Sequence, residues 1–533
     1  MKAITWNKEN KIKCALPVIA LILYIIHVVF LRNQVNNIFS QDIIYGKKEY
    51  AAIALSCVFG YAVYIGLLFC IYLCFRKNQV FRKLLKQFLI YFVPMFILLL
   101  CTWPGFLKGD EFYVLEAVRE LRFSPAQTGI TSLFYIACLR FFPSVGSITF
   151  FQVLLVSCIY AYIFYMLKQI YPDRNLILCR LVCFLLPVLD GNLFTLRATL
   201  VGWIFLLIMV MCFYAWKRNS LSAKQWIAIS LLCGLIIAWR SEYIYLLLFI
   251  PVAMKWIYKK SWKQVLLCFL IILIAYQGCN IPNKIALNGS NKYPISLVIN
   301  PLGNIFAQDE IRGETAYDDI MTINELIDVQ ALRRHPSVRN ISQYWNIPDV
   351  LPEEQLDAFM SASIRLIVNN FDHFLYYRWL TFAHTNGMYA DEINHPIAPT
   401  AETVYTLNYY GRDYKNDYYF MQAPLGETVR NTIIDILACR HYVSMAPKTN
   451  ALYPIFYNCL PTFILAFICM IVCLFKKKFV PAGILFTTGV QVALIFLTAP
   501  AMFFMYYFCF YLAGYFLTAV MFLELSKKEK LAP

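Results

Sequence analysis

A chain of 533 residues with 15% charged side chains and a mean hydropathy of +0.59 falls far short of the roughly 25% charge typical of soluble proteins, which excludes a water-soluble globule. The formal charge of +16 could suit nucleic acid, but residues 280–452 hold nineteen acidic and thirteen basic side chains, a net of −6 that leaves +22 elsewhere. That excess lies in short loops between apolar runs, where it serves as a topology signal, so no nucleic-acid partner is expected.

The first apolar run, 14–31, follows Lys2, Lys8, Lys11 and Lys13 and has no small-residue cleavage site after it. It reads as an uncleaved span rather than a signal peptide. Further runs fall at 50–75, 88–103, 148–167, 176–189, 193–216, 226–239, 243–257, 265–276, 453–474, 479–497 and 501–523. About 20 apolar residues cross the hydrocarbon core, so about twelve transmembrane helices are predicted. The short middle runs suit tilted, kinked or partly re-entrant segments.

Basic residues follow every second run: Arg76–Lys86, Lys168 and Arg174, Lys217 and Arg218, Lys255–Lys260, Lys476–Lys478 and Lys527–Lys530. This alternation places both termini in the cytoplasm of a multi-pass plasma or inner-membrane protein. The fold class read from the sequence is an all-α polytopic membrane protein with a mostly α extracytoplasmic domain. Its parts are two N-terminal spans (1–87), a seven-span module with an acidic first outer loop at 104–147 (88–276), the extracytoplasmic domain (277–452), and three C-terminal spans with a cytoplasmic tail (453–533). Two tight outer turns are expected at 190–192 and 240–242. The 18 cysteines lie mostly in apolar runs without zinc spacing, so neither a disulfide framework nor a metal site is indicated.

The first candidate for chemistry is the pair Asp110 and Glu111, directly after a span in Trp-Pro-Gly-Phe-Leu-Lys-Gly-Asp-Glu. A carboxylate beside low-dielectric walls can keep enough basicity to act on a hydroxyl; the plain alternative is a solvated loop. Residues 112–122 place Phe112, Leu115, Val118 and Leu121 on one helical face, and 130–142 offers a second helix, so both are expected to lie on the outer leaflet. Arg240 and Glu242 occupy an outer turn, where an arginine can grip a lipid phosphate bidentately or simply pair with the glutamate. Arg197, one turn inside a span, could do the same, or snorkel to water, or pair with Asp190.

In the extracytoplasmic domain a helix is predicted over 357–382, with His384 at its Gly-containing stop. The Tyr-dense stretch 405–420, with Tyr409 and Tyr410, suits stacking on a sugar acceptor but also a membrane interface. No Walker loop, dinucleotide fingerprint or nucleophile elbow is suitably placed.

This arrangement resembles the type C (GT-C superfamily) glycosyltransferases, integral membrane enzymes that use lipid-phosphate-linked sugars. The resemblance covers 88–276 as a GT-C-like module, with Asp110-Glu111 in its first outer loop and 112–122 and 130–142 as its surface helices. The Trp-Pro-Gly…Asp segment also resembles loops of uncharacterised bacterial polytopic proteins of surface-polysaccharide pathways. Two extra spans before the acidic loop depart from the family pattern.

The resemblance implies an inverting transfer from a polyprenyl-phosphate sugar donor to a glycan or other acceptor outside the cytoplasm. Asp110 would act as the base, with Glu111 assisting it or holding a cation. Arg240, Arg197 and Glu242 would serve the donor lipid-phosphate site. No definite cofactor follows, and a divalent cation stays open. Two other readings stand beside it. An O-antigen or polysaccharide polymerase or ligase would share the span count and the late outer loop, although an arginine followed eleven residues later by glycine does not occur at Arg197, Arg240, Arg312, Arg339 or Arg378. A lipid-linked glycan transporter or flippase would suit internal repeats and mid-membrane charges, and neither is present.

Overall fold

The computed structural model describes residues 8–40, 42–107, 109–125, 127–337, 342–388, 408–409, 412–413, 424–443 and 446–526. In chain order its helices are α1 (Lys8–Ile38), α2 (Lys47–Phe75), α3 (Gln79–Thr102), α4 (Gly109–Arg119), α5 (Gly129–Phe141), α6 (Gly146–Ile170), α7 (Ile177–Cys183), α8 (Leu186–Leu193), α9 (Arg197–Lys217), α10 (Ala223–Trp239), α11 (Leu246–Trp256) and α12 (Trp262–Leu287). A polar domain follows with α13 (Ile295–Phe306), α14 (Ala316–Asn324), α15 (Val329–Arg334), α16 (Glu353–Asn369), α17 (Phe371–Thr385) and α18 (Glu427–Leu437). The chain then returns through α19 (Tyr453–Phe456), α20 (Leu460–Phe475), α21 (Phe479–Thr498) and α22 (Phe508–Leu525). Two small antiparallel pairings, Asn408–Tyr409 with Arg412–Asp413 and Arg440–Val443 with Ala446–Thr449, are the only strands among the described residues.

The chain is a polytopic α-helical membrane protein. Among the described residues, nine helices are long and apolar enough to cross a membrane. The other three expected spans are present in reduced form. One is broken into α7 and α8, α10 has 17 residues, and α11 has 11 with Pro251 inside it. At 1.5 Å per residue each falls short of the roughly 30 Å core.

Helix starts are locally encoded. Asn78 caps α3 by accepting from the Phe81 amide at 2.9 Å, and Ser222 with Gln225 and Ser261 with Gln264 form capping boxes at α10 and α12. Helix α9 is apolar all round and buried along nearly its whole length, as expected of the helix at the centre of a bundle. Helices α1 and α2 expose most of their apolar side chains. They lean on α5, where His27 donates from Nε2 to the Phe141 carbonyl at 2.6 Å and accepts at Nδ1 from Tyr64 at 3.0 Å.

One end of the bundle gathers the basic loops. Buried Glu524 accepts from the Tyr171 hydroxyl at 2.7 Å, Lys217 at 2.8 Å and Lys478 at 3.1 Å, tying together the ends of α6, α9, α21 and α22. The polar domain caps the other end around its own core of Ile295, Ile299, Leu302, Ile323, Phe359 and Leu366. Arg378 donates to the Ala499 carbonyl at 2.7 Å and the Leu297 carbonyl at 2.9 Å, while Asn300 reaches the Pro500 carbonyl at 2.9 Å.

Several local expectations need correction. The apolar face of α4 does not meet lipid: Phe112, Leu115, Val118 and Leu121 are buried in a core with Ile38 and α5, because α1 and α5 supply an apolar wall closer than the bilayer. The helix expected over 357–382 is two helices. Asn370 separates them by turning its side chain to the backbone of Arg312, accepting from its amide at 3.0 Å and donating to its carbonyl at 3.0 Å. Residues 190–192 form no outer turn. They close α8 and are fully buried, with Asp190 accepting from Tyr457 at 2.9 Å and Asn192 bonding Tyr91 and Trp203. Finally, α12 continues to Leu287, past the expected boundary at 276.

Candidate functional site

The segment joining α3 to α4 is pinned from several sides. Gly105 has φ +99°, and a Cβ there would collide with Thr149, whose hydroxyl donates to the Pro104 carbonyl at 2.8 Å. The Phe106 amide bonds the Leu193 carbonyl at 3.0 Å, and Arg430 of the polar domain donates from Nε to the Trp103 carbonyl at 3.2 Å. Helix α4 therefore starts from a fixed point, with Asp110 and Glu111 in its first turn, where the helix dipole favours negative charge.

The two carboxylates then part. Asp110 is partly exposed on the wall of a cavity of about 1240 Å³ and accepts from Gln127 Nε2 at 3.0 Å. Glu111, expected beside it, is fully buried and is not among the cavity's lining residues. Adjacent positions on a helix project about 100° apart, so when one faces the cavity its neighbour faces the core.

Arg197 and Arg240 line the same cavity. Arg197 is the first residue of α9, and its Nη1 donates to the Trp239 carbonyl at 3.4 Å. Arg240 ends α10, donates from Nε to Glu242 at 2.7 Å with a second guanidinium nitrogen on the same oxygen, and lies 5.8 Å from the centre of the Tyr506 ring. Glu242 itself is not among the lining residues; it stands behind Arg240 as its counter-ion. Burial disfavours its charge, but the Arg240 and Arg197 charges outweigh burial and hold its pKa below the usual glutamate value. Glu242 thus pairs with Arg240, and Arg197 lines the same cavity where the N-terminus of α9 also opens. Asp190, the other expected partner of Arg197, is held by Tyr457 instead.

The far wall belongs to the polar domain. Lys292, nearly buried, donates to the Ile347 carbonyl and Asp349, both at 2.8 Å, and sits 5.0 Å from the Tyr344 ring centre. Tyr506, between α21 and α22, lines the cavity with Asp110, Arg197 and Arg240, so these three expected residues meet around one space. Sequence reading missed Gln127, Lys292, Trp345 and Tyr506. None carried a local signal, although Glu116 and Glu120 fall opposite the apolar face of residues 112–122 in the sequence.

The expected acceptor residue His384 is not gathered with this set. His384 ends α17 but is not among the lining residues, Tyr409 sits in a two-residue strand, and its side chain and the whole of Tyr410 lie outside the described residues. Among the described residues no three His, Cys, Asp or Glu side chains group to hold a metal ion.

The arrangement is a large pocket, apolar in part, with a carboxylate and two arginines converging from different helices. Such a pocket suits a ligand that pairs an anionic group with hydroxyls. Compared with protein-family profiles, curated proteins and solved structures, the chain gives no match.

Proposed function

We propose that this protein is a glycosyltransferase of the type C class, transferring a sugar from a polyprenyl-phosphate donor to a glycan or other acceptor. The observation that carries the reading is the presence of Asp110, Arg197 and Arg240 on the walls of one cavity at one end of a membrane bundle. The donor's hydrocarbon tail remains in the bilayer while its phosphate reaches the two arginines. The basic loops at the opposite end support a reading in which that cavity lies outside the cytoplasm of a cell membrane and both termini inside.

In the transfer, an acceptor hydroxyl approaches the anomeric carbon from the face opposite the phosphate. Asp110 takes the hydroxyl proton as the new carbon–oxygen bond forms. The bond from the anomeric carbon to the phosphate oxygen breaks, and the electron pair leaves with the lipid phosphate. Arg197, Arg240 and the start of α9 stabilise the charge that grows on that oxygen, an interaction stronger in the transition state than in the bound donor. Gln127 holds Asp110 in place through its 3.0 Å bond. Glu111, fully buried behind Asp110, has no direct part in the step.

Membranes containing the protein, supplied with polyprenyl-phosphate sugars and a cell-envelope acceptor fraction, test this directly. Asp110→Asn should lower transfer by about a hundred- to ten-thousandfold, the range of a lost general base. Full transfer by that variant would remove Asp110 from the role, and no transfer by the unaltered chain with any donor would remove the enzyme reading.

A further inference from the structure

The wall that carries Asp110 also holds residues that the transfer chemistry does not use. Helix α4 lines it with Asp110, Tyr113, Glu116, Ala117 and Glu120, a three-to-four-residue spacing that makes one helical face. The Tyr113 ring stacks on Trp345 of the polar domain, with centroids 6.1 Å apart and planes 12° from parallel. Tyr344 meets Trp345 edge-on at 5.4 Å. Despite these contacts Tyr113 stays 38% and Trp345 58% exposed.

An aromatic pair that served only to join α4 to the polar domain would be buried. This one shares its wall with the carboxylates Glu116, Glu120 and Asp349. A pyranose ring presents a flat face of C–H groups and a rim of hydroxyls. An open aromatic surface covers the first and carboxylates accept hydrogen bonds from the second. Three residues of helix rise separate Tyr113 from Asp110 by about 4.5 Å, so a ring resting on the platform presents its hydroxyls toward that carboxylate.

We infer that Tyr113 and Trp345 form a sugar-binding platform, so that the acceptor is a carbohydrate rather than a protein or a lipid headgroup. Its role as an acceptor subsite rests on the transferase reading; its binding of glycans does not. The two partners come from a bundle helix and from the polar domain, so the platform exists only when both are packed together.

The purified full chain in nanodiscs, screened on a broad glycan array without donor, tests the platform. The tightest glycan is then titrated by calorimetry against Trp345→Ala and Trp345→Phe. The expected result is retention of at least one glycan class, about tenfold weaker binding for Trp345→Ala, and near-normal binding for Trp345→Phe. If Trp345→Ala fails to fold, Trp345→Leu beside Trp345→Phe makes the same comparison of apolar bulk with an aromatic face. No retained glycan at millimolar concentration, or unaltered binding by the Ala or Leu variant, overturns the platform. Glycan binding by a protein that transfers no sugar keeps the platform and removes the transferase. Undiminished transfer by Trp345→Ala keeps the transferase and removes the platform.

Discussion

The two ends of the bundle use the same kinds of residues to opposite purposes. At the basic-loop end, Glu524 is buried and receives Tyr171, Lys217 and Lys478 together, so its charge is met within the protein. At the cavity end, Arg240 pairs with Glu242, and Arg197 and Asp110, the latter held by Gln127, line the open space. A buried charge must be paired or it is costly. The first end meets that rule internally. The second sets charged side chains of both signs around a large open space, where the anionic group of a ligand can meet Arg197 and Arg240. The difference separates a clamp from a site: removing a clamp residue should lower stability, and removing a site residue should lower activity.

The largest break is expected from Arg240→Ala, with a loss of transfer of about a hundred- to a thousandfold, the range for removing one preorganised charge stabiliser. The single variant also strands Glu242, so its thermal midpoint should fall. Arg240→Ala combined with Glu242→Ala should recover the midpoint without recovering transfer. Recovery of both would place Arg240 with the clamps. At the other end, Glu524→Ala leaves two lysines facing each other at a buried position and should cost about 3 kcal/mol. Denaturation followed by tryptophan fluorescence reads that loss, and transfer per folded molecule should be unchanged. A fall in the transfer rate of the folded fraction would show the two ends to be coupled.

Much of this contrast was legible in the residues themselves. Apolar runs are local signals and strong ones, so the helical bundle could be read directly. Asp110, Arg197 and Arg240 stood out because ionisable groups at span boundaries are rare. What escaped depends on contacts between distant parts of the chain. Lys292 and Trp345 reach the cavity because the polar domain folds back onto α4, and no pattern near either residue announces it. Asp190 belongs to a helix rather than a turn because Tyr457, 267 residues away, satisfies it. Asn370 breaks a helix because its amide matches the backbone of Arg312. The polar residues mistaken for surface features were those whose partners come from elsewhere in the chain.

The smallest effect sharpens the contrast by pH. Glu242 is the ion-pair partner of Arg240, and although burial opposes its charge, Arg240 and Arg197 hold its pKa below the ordinary value of 4.5. A carboxylate with a depressed folded-state pKa contributes stability that is complete above its unfolded value and is lost as pH falls through the folded one. Glu242→Gln lacks that contribution at every pH. The thermal midpoint of the unaltered protein should therefore exceed that of Glu242→Gln by a constant margin from pH 8 down to about pH 5.5. Below pH 4.5 the two curves should converge as Glu242 takes up its proton. Scanning fluorimetry in detergent measures both curves. A margin that persisted undiminished at pH 3.5 would mean that hydrogen-bond geometry rather than charge holds Arg240, and the wall would then lack the electrostatic character on which its ligand depends.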